Sequence, residues 1–264
     1  MKRTKTNYGW RVTGAVLLSA LAAACHSGQT AVDFMQVEEV TGGRIPLTAA
    51  YDVHPDEEAA RLLEPYKTAV DREMQRVVGE AAHTLKSYRP ESPLSNLLTD
   101  IIRESVAART GQPTDMAVMN IGGIRSLLEE GEITVGDIYQ VCPFENNLAV
   151  AVLRGDVLLH LLEQIAACGG EGISGAELVI TADGKLLQAK VGGRTVDSAR
   201  EYRVATINYV VEGNDRMDAF KSASSVTQFA DLLLRDVLID YVVRCTEAGQ
   251  QVDGRSDGRI VIDK

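Results

Sequence analysis

Four short segments place chemically versatile side chains at spots where chains usually turn: Ser95-Asn96-Leu97, Asn120-Ile121-Gly122-Gly123-Ile124-Arg125, Pro143-Phe144-Glu145-Asn146, and Asn208-Tyr209 with Gly213-Asn214-Asp215. Arg125 offers a planar guanidinium fork, the geometry that matches phosphate oxygens. Asn120 supplies a donor and an acceptor for a base or a sugar. Gly122 and Gly123 have no Cβ, so the backbone there can approach a ligand closely. Each segment lies at the end of an apolar run or the start of a helical one, where open sheets expose groups to ligands.

The elements that must hold these segments follow from the hydrophobic period. Asp56 to Ala82 reads as a helix through Leu62, Leu63, Tyr66, Val70, Met74 and Val77. Pro65 should kink or split it, because proline removes a donor and clashes with the preceding turn. Leu94 to Ala108 reads as a second helix, Asp115 to Met119 as a short buried strand, and Asn120 to Gly123 as a loop. Leu148 to Leu153 is strand-like and Asp156 to Ala167 helical. Strands are expected at Glu177–Thr181, Leu186–Val191 and Tyr202–Tyr209, with Ala182-Asp183-Gly184 as a hairpin turn. Ala230 to Ala248 reads as an amphipathic helix and Arg259 to Ile262 as a closing strand. This order implies an α+β fold, a mixed β-sheet with helices packed on its faces.

The first 24 residues are set apart. Lys2, Arg3, Lys5 and Arg11 precede 13 mostly apolar residues, Val12 to Ala24, that end in three alanines. That is the pattern of a secretory signal, and it is too short to span a bilayer, which takes about 20 apolar residues. Leu21-Ala22-Ala23-Ala24-Cys25 resembles a bacterial lipobox, with Ala22 where Leu is preferred, so Cys25 is the expected lipidation site. Residues 25–50 then read as a tether and 51–264 as the folded domain. The chain is expected to be exported and lipid-anchored to a bacterial membrane, on the periplasmic face or the cell surface.

Without the leader, 23 Lys+Arg face 37 Asp+Glu, a net charge of −14. Such a balance argues against nucleic acid or an anionic membrane surface as the main partner. It leaves room for small anions held by local arginines. Cys142, Cys168 and Cys245 show no Cys-x-x-Cys spacing, so neither a disulfide framework nor a zinc site is indicated, and three buried small hydrophobes are expected.

In order and spacing the four segments resemble the C-terminal domain of the 5'-nucleotidase family, which carries Gly-Asn-Leu, Asn-Gly-Gly-Gly-Ile-Arg, Pro-Phe-Gly-Asn, and Asn-Phe with Gly-Gly-Asp. The likeness runs from about Asp56 to Lys264. It implies that Phe144 and Tyr209 sandwich a nucleobase, that Asn146 faces the base, and that Asp215 accepts ribose hydroxyls. Arg125 would hold phosphate beside Asn120. Arg89 is a weaker carry-over, one place out of register with a phosphate-facing arginine, and Gly170 belongs to a loop that would line the base pocket. Core packing is the competing role for Phe144 and Tyr209, and a plain turn for Asp215. Ser95, Ile121, Glu145, Asn214 and Arg216 stand where the family has glycines, which puts its substrate preference in doubt.

The resemblance also defines what is missing. Full-length members hydrolyse phosphate esters with two metal ions on a metallophosphoesterase domain, a chemistry that needs converging His, Asp and Asn ligands. Here the histidines are His26, His54, His83 and His160, and only Asp52-Val53-His54 has a suggestive spacing, read as chance. No metal site, no cofactor and no catalytic residue are assigned to this chain. The expectation is a nucleotide-recognition domain that is not catalytic alone and works with a separate metallophosphoesterase subunit, which would carry divalent metals. The other reading is a lipid-anchored protein that binds nucleotides or nucleosides without hydrolysis.

Overall fold

The computed structural model describes residues 42–46, 48 and 56–263. The leader, Cys25 and the Asp52-x-His54 pair lie outside these residues, as does most of the tether. Asp56–Lys264 form one unit, which carries every element named below.

Helix α1, Glu57–Met74, opens on Asp56, whose carboxylate accepts from the backbone N–H groups of Glu58 and Ala59 at 3.0 Å each. It is shorter than the expected span and runs unbroken through Pro65. Beyond Met74 the chain becomes strand β1, Val77–Ala81, paired antiparallel with β3, Gly131–Thr134. Val77 and Val78 continue the helical period, yet β-branched residues fit a pleated surface better, and β3 supplies the partner. No residue of α1 is buried.

Helix α2, Pro93–Thr110, is the opposite case. Proline occupies its first turn, Ser92 caps it, Gly111 ends it in the left-handed region, and nine of its residues are buried. It covers the central five-stranded sheet, ordered β10-β4-β9-β2-β5. These strands are β2 Met116–Met119, β4 Asn147–Arg154, β5 Gly172–Ser174, β9 Glu201–Ile207 and β10 Ser225–Leu233. Only the β2–β9 pair is parallel. A third sheet, ordered β11-β6-β7-β8, is built from β6 Ala176–Thr181, β7 Leu186–Val191, β8 Arg194–Thr195 and β11 Ile260–Asp263. Helices α3 Val135–Val141, α4 Gly155–Ala167, α5 Asn208–Val211 and α6 Leu234–Glu247 complete the order. One continuous cluster of buried apolar residues joins all three sheets to α2, α4 and α6.

The fold class is therefore α+β, with three sheets where one mixed sheet was expected. Two further boundaries move. Residues 230–233, expected in a helix, belong to β10, which pairs with β4, and α6 starts at Leu234. The strand expected to reach Tyr209 stops at Ile207, and Asn208-Tyr209 turn into α5. Cys142 is buried, whereas Cys168 and Cys245 are only partly so, and all three are free.

Topology explains why distant segments meet. β2 and β9 run parallel, so Met119 and Ile207 end at one edge of the central sheet. β4 runs antiparallel to β9 and β5 to β2, so both begin at that same edge, Leu148 opposite Ile207 and Gly172 opposite Met119. The loops after β2 and β9 and before β4 and β5 are thereby gathered together.

Candidate functional site

At that edge lies a cleft of about 460 Å³, lined by Asn120, Gly122, Gly123, Arg125, Phe144, Asn146, Tyr209 and Asp215. Six of the eight residues expected to bind a ligand are among them. Phe144, before β4, is 48% exposed and Tyr209, on α5, is 40% exposed. Neither ring is a core residue, which removes the competing packing role.

Asp215 is the polar hub. One carboxylate oxygen accepts from Asn120 Nδ2 at 2.6 Å, the other from the Tyr209 hydroxyl at 3.1 Å. The bond to Asp215 pushes the Tyr209 phenol above its ordinary range, so the hydroxyl stays a donor. Asp215 and Arg216 (φ 51° and 64°) are the two central residues of a turn closed by the Met217 N–H donating to Asn214 O at 3.1 Å, and this turn presents the Asp215 carboxylate to the cleft. Asn120 is buried, and its Oδ1 has no partner among the described residues. A Cβ at Gly123 would sit 2.9 Å from that oxygen, so glycine there makes room for Asn120. At Gly122 a Cβ would meet nothing closer than Asp215 Oδ2 at 3.8 Å, so this glycine keeps the cleft open. Arg125 is exposed at the mouth, its guanidinium donating to Gly122 O at 3.2 Å.

Arg89 and Gly170 sit beside this cleft and do not line it. Arg89 borders a second cavity of about 370 Å³ with Gly122, Cys168, Glu171, Asp215 and Arg216. Its Nε donates to Gly170 O at 2.8 Å, and its Nη2 pairs with Glu171. Gly170, with φ 106°, lies so near Pro90 that a Cβ would fall 2.3 Å from the Pro90 oxygen. Its expected place in the lining is corrected: it is a close-packing position that lets two loops touch.

Glu171 escaped the sequence reading. It is 2% exposed, and it accepts the Ile121 N–H at 2.5 Å while pairing with Arg89. Burial pushes its carboxyl above the ordinary glutamate range, outweighing the lowering from Ile121 and Arg89. The signal in the sequence was slight, an acid directly after the glycine pair of Gly169-Gly170. The Ser95-Asn96-Leu97 segment, by contrast, has no part in this cleft; Asn96 and Leu97 border a separate cavity of about 260 Å³ with Asp100, Tyr241, Arg255 and Arg259. Asn96 is buried, donating to Glu91 at 2.7 Å and to Arg255 O at 2.9 Å. Glu91 in turn accepts the backbone N–H groups of Asp257 and Gly258, which ties α2 to the chain leading into β11.

Fold and cleft together define an α+β domain with two exposed aromatics and a shared carboxylate at one sheet edge. The family model described as "5'-nucleotidase, C-terminal domain" matches residues 77–222, more than half of the chain, and the chain belongs to that family. Among relatives, "Endonuclease YhcR" of Bacillus subtilis is 32% identical over 166 residues, covering 60% of this chain and 13% of that protein. "Protein UshA" of Escherichia coli is 29% identical over 171 residues, covering 62% of this chain and 30% of that protein. The solved 5'-nucleotidase precursor of Thermus thermophilus superposes with a TM-score of 0.67 at 28% identity, over 81% of this chain and 45% of that one. The chain thus spans less than half the length of each.

Proposed function

We propose that this domain recognises a nucleotide or nucleoside in the cleft and serves as the substrate-binding half of a 5'-nucleotidase, acting with a separate metallophosphoesterase subunit. The observation that carries this reading is the convergence of Asn120, Arg125, Phe144, Asn146, Tyr209 and Asp215 from three connections, after β2, before β4 and after β9, onto one cleft. Phe144 and Tyr209 stack the base, Asn146 meets its edge, and Asp215 takes ribose hydroxyls. Arg125 pairs with phosphate. The lining brings one carboxylate and no imidazole, a donor set that does not fit two metal ions, so bond cleavage falls to the other subunit. With the leader and Cys25, the setting is extracytoplasmic nucleotide breakdown at a membrane surface; Cys25→Ser is expected to shift the protein from the detergent phase to the aqueous one.

Calorimetry with adenosine and adenosine monophosphate tests the cleft. Phe144→Ala should weaken both ligands alike, by about 1–3 kcal/mol, because stacking is indifferent to phosphate. Arg125→Ala should weaken the monophosphate selectively, since the lost contact is charge-assisted. Asp215→Ala should matter for adenosine and leave 2′,3′-dideoxyadenosine unaffected. Well-folded protein that binds none of these ligands would refute the reading.

A further inference from the structure

Two of the cleft residues, Phe144 and Asn146, sit on the loop between α3 and β4. Phe144 is half exposed, so no core contact fixes its ring. Among the described residues, the backbone of 143–146 makes one hydrogen bond to another element: Asn146 O accepts the Leu234 N–H at 2.8 Å. Leu234 is the first residue of α6, and an irregularity in β10 between Phe229 and Leu233 brings Leu233 opposite Asn147. The next residue is Arg235.

Arg235 is costly where it stands. It is 8% exposed, its Nε has no hydrogen-bond partner, and its guanidinium has no ion pair among the described residues. It is also the second residue of a helix, where a cation opposes the macrodipole. A buried charge without a counter-ion is unfavourable, and an apolar side chain of similar length would pack there at no loss. What Arg235 does contact is Tyr139 on α3, the centre of whose ring lies 4.0 Å from the guanidinium carbon. The guanidinium also acts on the Cys142 thiol, opposing the rise to about 12 that burial imposes there. The start of α6 thus holds the loop from both sides, Tyr139 and Cys142 before it and Asn146 at its end. A locally unfavourable residue that joins two elements beside a ligand cleft is expected where function outweighs stability.

We infer that Arg235 is a positioning residue for base recognition: stacked on Tyr139, it fixes the loop that presents Phe144 and Asn146 to the cleft. The inference rests on the cleft holding a base as proposed above. Arg235 is not part of the cleft lining and touches no ligand; it acts through the loop. A planar guanidinium lying over a ring fixes orientation as well as distance, which a flexible apolar contact does not.

Calorimetric titration of adenosine monophosphate into the mature protein and its variants tests this. Arg235→Met keeps the length of the side chain and removes the charge. It should leave Tm unchanged or higher, because the lost charge was buried without a counter-ion, and still weaken binding about fivefold. Tyr139→Leu should weaken binding by a similar factor, whereas Tyr139→Phe keeps the ring and should bind as the wild type does. The effect should also run through the stacking ring: in a Phe144→Ala background, Arg235→Met should cost less than about twofold more. Unchanged binding in Arg235→Met overturns the inference and leaves the cleft intact. So does a lower Tm in that variant, which would make Arg235 a folding residue. An undiminished loss on top of Phe144→Ala, or a Tyr139→Phe variant as weak as Tyr139→Leu, overturns it equally. Wild-type protein that binds neither adenosine nor its monophosphate would overturn the inference together with the cleft.

Discussion

Glu171 shows how one buried carboxylate can organise a binding edge. It fixes the Ile121 N–H on one side and Arg89 on the other, so the loop after β2 and the loop before α2 share an anchor. Because burial raises its pKa, the folded protein holds the Glu171 proton more tightly than the unfolded chain does. The stability this provides is full below the unfolded value, about 4.3, and is lost as pH rises through the higher folded value. In Glu171→Gln nothing titrates at this position. The Tm of wild type relative to that variant should therefore fall as pH rises above about 4.3, and a pH-independent difference would refute the raised pKa of Glu171. Gly170→Ala should cost about 2–4 kcal/mol in denaturant unfolding, since its Cβ would enter the Pro90 backbone at a left-handed φ. That Phe144, Tyr209 and Arg125 share one cleft was legible in the sequence, because an aromatic or a guanidinium beside a turn is an unusual choice for a plain loop. Glu171 was not, because its partner at Ile121 is 50 positions away and is reached only through the pairing of β5 with β2.

At the scale of elements, α1 and α2 have equal length and opposite dependence on the fold. α1 is held by its Asp56 cap and by exposed pairs such as Lys67–Asp71 at 2.7 Å, with Leu62 and Tyr66 each 69% exposed. Replacing Leu62 or Tyr66 by Gln should change domain stability by less than about 0.5 kcal/mol, because no buried contact is lost. In α2, Leu98 is fully buried, and Leu98→Ala should cost about 2–5 kcal/mol. Parallel denaturant melts of these variants check the contrast; a large loss in the α1 variants would mean that this helix is packed in solution. The hydrophobic period placed both helices, but period alone cannot say whether an apolar stripe finds a partner. It also could not separate the end of α1 from β1, since Val77 satisfies both patterns and only pairing with β3 decides. The Ser95-Asn96-Leu97 segment misled for a related reason. Polar residues at a helix start look like ligand contacts until Glu91 and Arg255 are seen to satisfy them from inside.

At the scale of the whole molecule, the architecture gathers polar groups at one edge of the central sheet. The α+β class was visible in the order of elements. The division into three sheets was not, because β1 and β3 are short and pair across 50 or more positions of sequence. The cleft lining has stacking rings, amides, a guanidinium and a single carboxylate. Activating water with two metal ions requires several carboxylate and imidazole ligands within about 4 Å of one another. His160 is exposed on α4 beside Glu163 and Asp218, and His83 contacts Gly254 O at 3.1 Å; neither lines the cleft. The purified chain supplied with manganese or zinc should accordingly leave adenosine monophosphate intact while binding it. Adding an exported metallophosphoesterase subunit should release phosphate at a rate that Phe144→Ala and Asp215→Ala reduce. Metal-dependent hydrolysis by this chain alone, lost in His54→Ala, would instead locate a catalytic centre around Asp52-Val53-His54 and make the domain an enzyme in its own right.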